Sequence, residues 1–353
     1  MVLIMDKKLF LTITGGGTEA IGKILRNGGA SSYFAGAYVP YSTKCVDDFL
    51  GFKPEKYNSQ LTSRQLAMAG MQKMLDLGYD FNECVSLACC ASLRSSNVER
   101  VGREHSFHIT YLEREVICST SFKLLENRSR QEEEELVSEV ILDGLEMGTF
   151  HLSEDEWDCV KSEKFYFQHE EDTPRLFFDT KEQFALKQVI INSEKCSNLI
   201  YSGSFNPLHD GHRAIINYSA NKFKQKVTLD ISVQNFDKPN LDYLDYRNRS
   251  VLYKENNINA VCFTKAPLFI DKFHLYPINS TYLVGVDTAN RIIRHKESLG
   301  KLLEYCFIYN NKFAVFPRGN EKLISGYENF FEFQEDFVPV DLSSRSIRNA
   351  AGV

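Results

Sequence analysis

The sequence has no Cys-x-x-Cys pair, no tandem repeat, and no apolar run near the ~18 residues that cross a membrane. Nine cysteines are present (Cys45, Cys84, Cys89, Cys90, Cys118, Cys159, Cys196, Cys262 and Cys306). Their odd number and irregular spacing argue against a zinc knuckle and against a disulfide framework, and free thiols suit a reducing compartment. A basic excess is also missing: 41 Lys and Arg stand against 47 Asp and Glu, a formal net charge of −6. Proteins that coat a phosphate backbone need the opposite balance, so no nucleic-acid polymer is expected as a partner. A local basic site for one nucleotide remains compatible. Met1 to Phe10 is interrupted by Asp6, Lys7 and Lys8 and has no long apolar segment with a small-residue cleavage site. The expected location is the cytosol, without a membrane partner. Hydrophobic residues at 43% and charged residues at 25% exclude a disordered or collagen-like chain.

What is present suits two domains, since 353 residues exceed the ~100–200 of one domain. Two glycine-bearing turns punctuate the chain. Thr14-Gly15-Gly16-Gly17-Thr18 follows the apolar run Leu9 to Ile13, and Gly203 to His212 follows Leu199 to Tyr201. Each precedes a helical pattern, so each reads as strand, turn and helix. From Asn198 onward apolar segments (Leu199–Tyr201, Val227–Val233, Ala260–Phe263, Tyr282–Val286, Phe313–Phe316) alternate with helical patterns (His212–Lys222, Asn248–Glu255, Thr288–Lys296). The expected fold is α/β: two α/β domains, the second a Rossmann-like parallel sheet with helices on both faces. Residues 1–150 form the first domain, 151–196 a connector and 197–353 the second. The acidic run Glu132 to Glu135, before Leu136, Val140 and Ile141 at helical spacing, predicts a solvated helix start.

The second turn reads Gly203-Ser204-Phe205-Asn206-Pro207-Leu208-His209-Asp210-Gly211-His212. Where a strand gives way to a helix, free N–H groups and the helix dipole favour an anion. Gly203 and Gly211 permit close backbone approach. Two imidazoles three residues apart share one helical face and can donate to phosphate oxygens as charge shifts. Ser204 and Asn206 add neutral polar groups.

This string resembles the signature of the His-x-Gly-His nucleotidyltransferase superfamily, which includes nicotinate and nicotinamide mononucleotide adenylyltransferases, phosphopantetheine adenylyltransferase and cytidylyltransferases. The resemblance covers roughly Asn198 to Ala351. It implies transfer of a nucleoside monophosphate from a nucleoside triphosphate to a small phosphorylated acceptor, with release of pyrophosphate and no covalent enzyme intermediate. His209 and His212 would bind the triphosphate and stabilise the reacting α-phosphate, and Mg²⁺ would come with ATP. Ser343, Ser344 and Arg348 match the family's late triphosphate-gripping motif, although Arg345 stands where the family has threonine. Gly285 and Asp287 resemble its Gly-x-Asp, and Phe313 to Arg318 its following strand and loop. Lys238 and Arg249 fall where family members place basic residues against phosphates. Arg247 competes for the latter role, and surface charge is an equal reading of both positions.

Around the first turn, Thr12, Thr14 and Thr18 offer hydroxyls, and a hydroxyl nucleophile needs a base, for which Tyr41 and Lys44 are nearest in sequence. The order Thr14-Gly15-Gly16, Ser31-Ser32-Tyr33-Phe34 and Tyr41-Ser42 resembles the CinA C-terminal domain family, several members of which are nicotinamide mononucleotide deamidases and which often self-associate. Thr12 stands where that family has its serine nucleophile. Val46 occupies the lysine position, with Lys44 two residues early, and Ala91 to Ser96 lacks the family's glycine- and proline-bearing loop. These departures imply that the fold of the family is retained from about Leu9 to Met147 while the amidase activity is lost or altered.

These readings converge on an adenylyltransferase acting on a pyridine mononucleotide. The alternatives are a CTP donor, a phosphopantetheine or sugar-phosphate acceptor, an active amidase dependent on Thr12, and a nucleotide sensor without turnover.

Overall fold

The computed structural model describes residues 6–95, 104–114, 116–124, 128–147, 150, 158–166, 177–178, 187–191, 195–234 and 241–340, with backbone alone for 158–166, 187–191 and 243. The chain divides into two compact units, Met1–Glu171 and Asp172–Val353. No helix among the described residues is long and apolar enough to cross a membrane.

In the first unit, β1 (Lys8–Thr14) lies between β2 (Phe34–Tyr38) and β3 (Cys84–Ser92) with both pairings parallel. Beyond β3 come β4 (Ser106–Leu112), β5 (Val116–Lys123) and β6 (Asp158–Tyr166), each antiparallel to its neighbour. The period of two sorts the β1 side chains. Leu9, Leu11 and Ile13 join a core with Ala20 and Ile24 of α1 (Glu19–Arg26) and with Val137, Val140, Ile141 and Leu145 of α5 (Arg130–Met147). Phe10 and Thr12 face the other way, toward Gly70 of α4 (Gln60–Asp76), where an added Cβ would lie 3.2 Å from each. Between them in the chain, α2 (Ala30–Tyr33) and α3 (Thr43–Leu50) flank β2.

The acidic run departs from expectation. It begins a helix, but Glu133 is only 1% exposed, and Glu134 is also turned inward. Glu133 accepts from the Arg94 backbone N–H at 2.5 Å and meets His105 Nδ1 at 2.7 Å. Buried donors took these carboxylates in, a tertiary demand that helical spacing does not reveal.

The second unit holds β7 (Lys187–Ile191), β8 (Leu199–Ser202), β9 (Val227–Ser232), β10 (Ile258–Thr264), β11 (Thr281–Gly285), β12 (Lys312–Phe316) and β13 (Phe331–Phe333). Their spatial order is β13-β12-β11-β8-β9-β10-β7. All neighbours are parallel except β7, which runs antiparallel to β10 at the edge. From β8 onward this is the 3-2-1-4-5-6 order of a doubly wound dinucleotide-binding sheet, whose direction of winding reverses between β8 and β11. Residues expected as a connector thus give an edge strand to each sheet.

Helices accompanying this sheet include α6 (Asp210–Phe223), α7 (Tyr243–Ser250), α8 (Phe269–Lys272), α9 (Val286–Arg294) and α10 (Lys296–Tyr309). Alternation again divides the faces. Ile200, Cys262, Tyr282, Val284, Phe313 and Val315 join one core with α8, α9 and α10. On the other face Phe316 meets Tyr218 of α6, and Phe263 meets Tyr246 of α7. The stack of Phe313 on Phe331, centroids 4.7 Å apart, fixes β13 at the sheet edge. The eight cysteines whose side chains are described carry free thiols.

Candidate active site

The switch point between β8 and β11 places two loops side by side at the carboxyl ends of their strands. From β8 the chain enters Gly203 to Leu208, with Phe205 held at φ +47° and a cis bond between Asn206 and Pro207. The Phe205 ring is 2% exposed, edge-on to Tyr201 at 5.1 Å and to His212 at 5.1 Å. The Gly203 to Gly211 string, Phe205 included, is expected to line the nucleotide, and the Phe205 ring itself packs inward and supports His212. Gly203 leaves room for that ring, which would lie 2.9 Å from an added Cβ.

His209 caps α6 in extended conformation, and His212 sits one turn on. The two rings stack, centroids 3.7 Å apart. The backbone N–H of His209 donates to His212 Nδ1 at 3.4 Å, which puts the proton of the neutral His212 ring on Nε2. Nδ1 of His209 is buried against the first turn of α6, 3.1 Å from where a Gly211 Cβ would stand. Burial first, then the neighbouring His209 and the Arg318 and Arg213 guanidinium groups, pushes His212 down to about 3. Burial and Arg318 also lower His209, against a smaller opposing pull from Asp210. Both rings are therefore neutral near pH 7. They act as neutral hydrogen-bonding groups and not as cations.

The second loop follows β11. Gly285 caps α9, and Asp287 lies in its first turn, with Oδ1 2.5 Å from where a Gly285 Cβ would stand. Arg318, just past β12, donates to Asp287 Oδ2 at 3.2 Å. The electrostatic influence of Arg318 on His209, His212 and Tyr201 joins the two loops in one site. The C-terminal segment reaches it too: the Val340 carbonyl oxygen lies 3.3 Å from where a Gly211 Cβ would be. Ser343, Ser344, Arg348 and Lys238 themselves lie outside the described residues.

Of the competing arginines, Arg247 is exposed, whereas Arg249 is 5% exposed and donates to Asp245 at 3.1 Å. Ser204 is exposed and Asn206 half-buried in the turn. No cluster of three metal-ligating side chains occurs among the described residues. The donor set of two imidazoles, backbone N–H groups and a guanidinium suits phosphate oxygens. A magnesium ion carried by triphosphate oxygens needs no protein cage.

The first glycine turn is built differently. Thr12 is fully buried, and its hydroxyl has no hydrogen-bond partner among the described residues. Thr14 donates to the Pro40 carbonyl at 2.9 Å. Tyr41 is 72% exposed and Lys44 is exposed. A buried hydroxyl and two solvent-facing side chains do not make a nucleophile with its base. Sequence reasoning missed what fills this turn. Glu134 Oε1 accepts from Gly17 N at 2.9 Å, Thr18 N at 2.6 Å and Thr18 Oγ1 at 2.9 Å. Arg130 donates to the Gly15 carbonyl at 2.9 Å and lies 3.6 Å from Glu134. An open cleft of about 500 Å³, lined by Thr18, Glu19, Arg130, Gln131 and Glu134, borders the turn. Its lining lacks the apolar wall of a usual ligand site.

Fold, switch point and paired histidines define a nucleotidyltransferase-like domain in the carboxy-terminal unit. Residues 200–350 match the cytidylyltransferase-like family. No curated protein matches the chain. Solved structures similar to its amino-terminal region include the competence-damaged protein (CinA) superfamily protein from Enterobacter cloacae, 14% identical, covering 40% of this chain and 80% of that one with a TM-score of 0.32. The competence or damage-inducible protein from Enterobacter asburiae is 14% identical over 41% of this chain and 89% of its own, with a TM-score of 0.33. CihA from Agrobacterium tumefaciens is 13% identical over 40% and 86%, with a TM-score of 0.32.

Proposed function

We propose that the carboxy-terminal unit transfers AMP from ATP to a pyridine mononucleotide. An acceptor phosphate oxygen attacks the α-phosphorus, the bond to the β-phosphate oxygen breaks, and pyrophosphate leaves. The observation that carries this reading is the His209–His212 stack at the end of β8, beside Asp287 and Arg318. His212, with its proton on Nε2, donates to a phosphate oxygen. Because both rings are neutral, compensation of phosphate charge falls to Arg318 and to Arg348 of the C-terminal motif. Mg²⁺, when bound to the triphosphate, supplies further neutralisation of the leaving pyrophosphate. Free thiols accord with a cytosolic enzyme.

The adenylyl donor and pyridine acceptor rest on the turn sequence Gly203 to His212 and on the first-turn motifs of the same chain. The test is pyrophosphate release from ATP or CTP with nicotinate or nicotinamide mononucleotide, phosphopantetheine or a sugar phosphate as acceptor. Dinucleotide formed from ATP and a pyridine mononucleotide, and lost in His212→Ala, is the expected result. Turnover with CTP alone, or with another acceptor alone, overturns the assignment; no turnover with any pair favours a sensor.

On the same reading the amino-terminal unit has no amidase activity, since the hydroxyl that would attack is buried away from Tyr41 and Lys44. Ammonia release from nicotinamide mononucleotide that disappears in Thr12→Ala would refute this.

A further inference from the structure

The transfer chemistry makes no use of Asp230, a fully buried carboxylate in β9. Four side-chain donors converge on it. Ser202 Oγ at 2.8 Å and Lys272 Nζ at 2.5 Å reach Oδ2; Tyr276 OH at 2.7 Å and Thr264 Oγ1 at 3.2 Å reach Oδ1. Lys272 is itself 4% exposed and also donates to Ser232 Oγ at 2.8 Å. A buried ion pair is a poor source of net stability, but when every lone pair is met it specifies one arrangement of its neighbours.

What this pair specifies lies next to the histidine turn. Ser202 is the last residue of β8 and stands opposite Asp230 in register. Gly203, the first residue of the turn, donates its N–H to the Asp230 carbonyl at 3.0 Å. One residue therefore holds the strand end with its side chain and the start of the turn with its main chain. Thr264 ends β10, and Lys272 and Tyr276 come from the segment that follows, so three chain crossings meet at one carboxylate. Two residues after Gly203 comes Phe205, at positive φ, and further along the turn come His209 and His212. A turn with that backbone has little freedom once its first residue is fixed.

We propose that Asp230 is a positioning residue for the transfer site: with Lys272 and Tyr276 it fixes the end of β8 so that the following turn packs His212 against Phe205 and His209. The geometric claim stands without the transferase reading, and only its consequence for turnover rests on it.

Asp230→Asn alone would leave the Lys272 ammonium buried and unpaired, so the test uses the full chain carrying Asp230→Asn with Lys272→Met. Ser202→Ala, which removes one neutral hydrogen bond, is the milder variant. The first readout is the NMR titration of the His212 imidazole, whose charged neighbours are Arg318 and Arg213, with His209 stacked on it. Loosening the turn admits water, and titration should rise from about 3 toward the ordinary histidine range by at least about one pH unit. His108, pushed down to about 4 by burial in the other unit, is the internal reference and should stay in place. The second readout is pyrophosphate release: kcat should fall about tenfold or more, with KM for ATP changed far less. A folded double variant in which His212 titrates as in the wild type overturns the proposal. Where the double variant does not fold, Ser202→Ala decides by the same criterion. Absence of turnover in the wild type counts against the transferase reading and leaves the titration test intact.

Discussion

The imidazole of His212 lies on that of His209 with ring planes inclined by 26°. Two imidazolium cations so close would repel each other in a site that also holds Arg318. The stack is thus an arrangement for neutral rings, and its pH dependence follows. His212 is pushed down to about 3, well below the free imidazole, so the unfolded chain takes up a proton that the folded one refuses. Stability is present above about pH 6.5 and is lost as pH falls toward the folded value, by about 1.4 kcal/mol for each pH unit in that window. His108, pushed down to about 4 by burial, adds the same trend to the amino-terminal unit. Urea unfolding at pH 7.5, 6 and 5 should show stability falling in that order; a flat profile would contradict the buried, neutral rings.

Gly211 lies where the turn, the His209 ring and the C-terminal segment meet. A Cβ there would stand 3.0 Å from His209 Cε1 and 3.3 Å from the Val340 carbonyl oxygen. A ring can swing aside, but backbone cannot do so cheaply. Gly211→Ala should lower kcat/KM for pyrophosphate release about tenfold or more while secondary structure by circular dichroism is kept.

Glu134 supports the first glycine turn through three donors. Glu134→Ala leaves them without that acceptor, so a loss of about 1–3 kcal/mol is expected in urea unfolding of the full chain. Glu139→Ala is the contrast. That residue is 63% exposed and 3.9 Å from Lys23, so its removal should change stability by no more than about 0.5 kcal/mol. Equal effects from the two substitutions would refute the role of Glu134.

Thr12 buries a hydroxyl with no partner among the described residues. Thr12→Val keeps the shape and removes the polar atom, so stability should stay level or rise. A loss above about 1 kcal/mol in thermal or chemical unfolding would mean that the hydroxyl has a partner after all.

The strands and helices around the histidine turn were largely legible, because apolar alternation and helical spacing both arise from burial along one element. Leu199–Tyr201 and Phe313–Phe316 fall inside β8 and β12, and His212–Lys222 inside α6. α10 and β13 were not legible. Aromatic residues recur on several sides of α10, and β13 is only three residues long. The inward turn of Glu133 and Glu134 was hidden as well, since an acidic run looks solvated unless its acceptors' donors are known.

By itself the sequence determined the two α/β units and the candidate turn. Gly203 to His212 encodes a local conformation, and local conformation follows from residue types in order. Only the tertiary structure decided that Arg318 and Val340 reach that turn, that Asp230 lies beneath its start, and that Thr12 faces inward. Those relationships join residues far apart in the chain, and they depend on sheet order and on which face each strand presents to its helices.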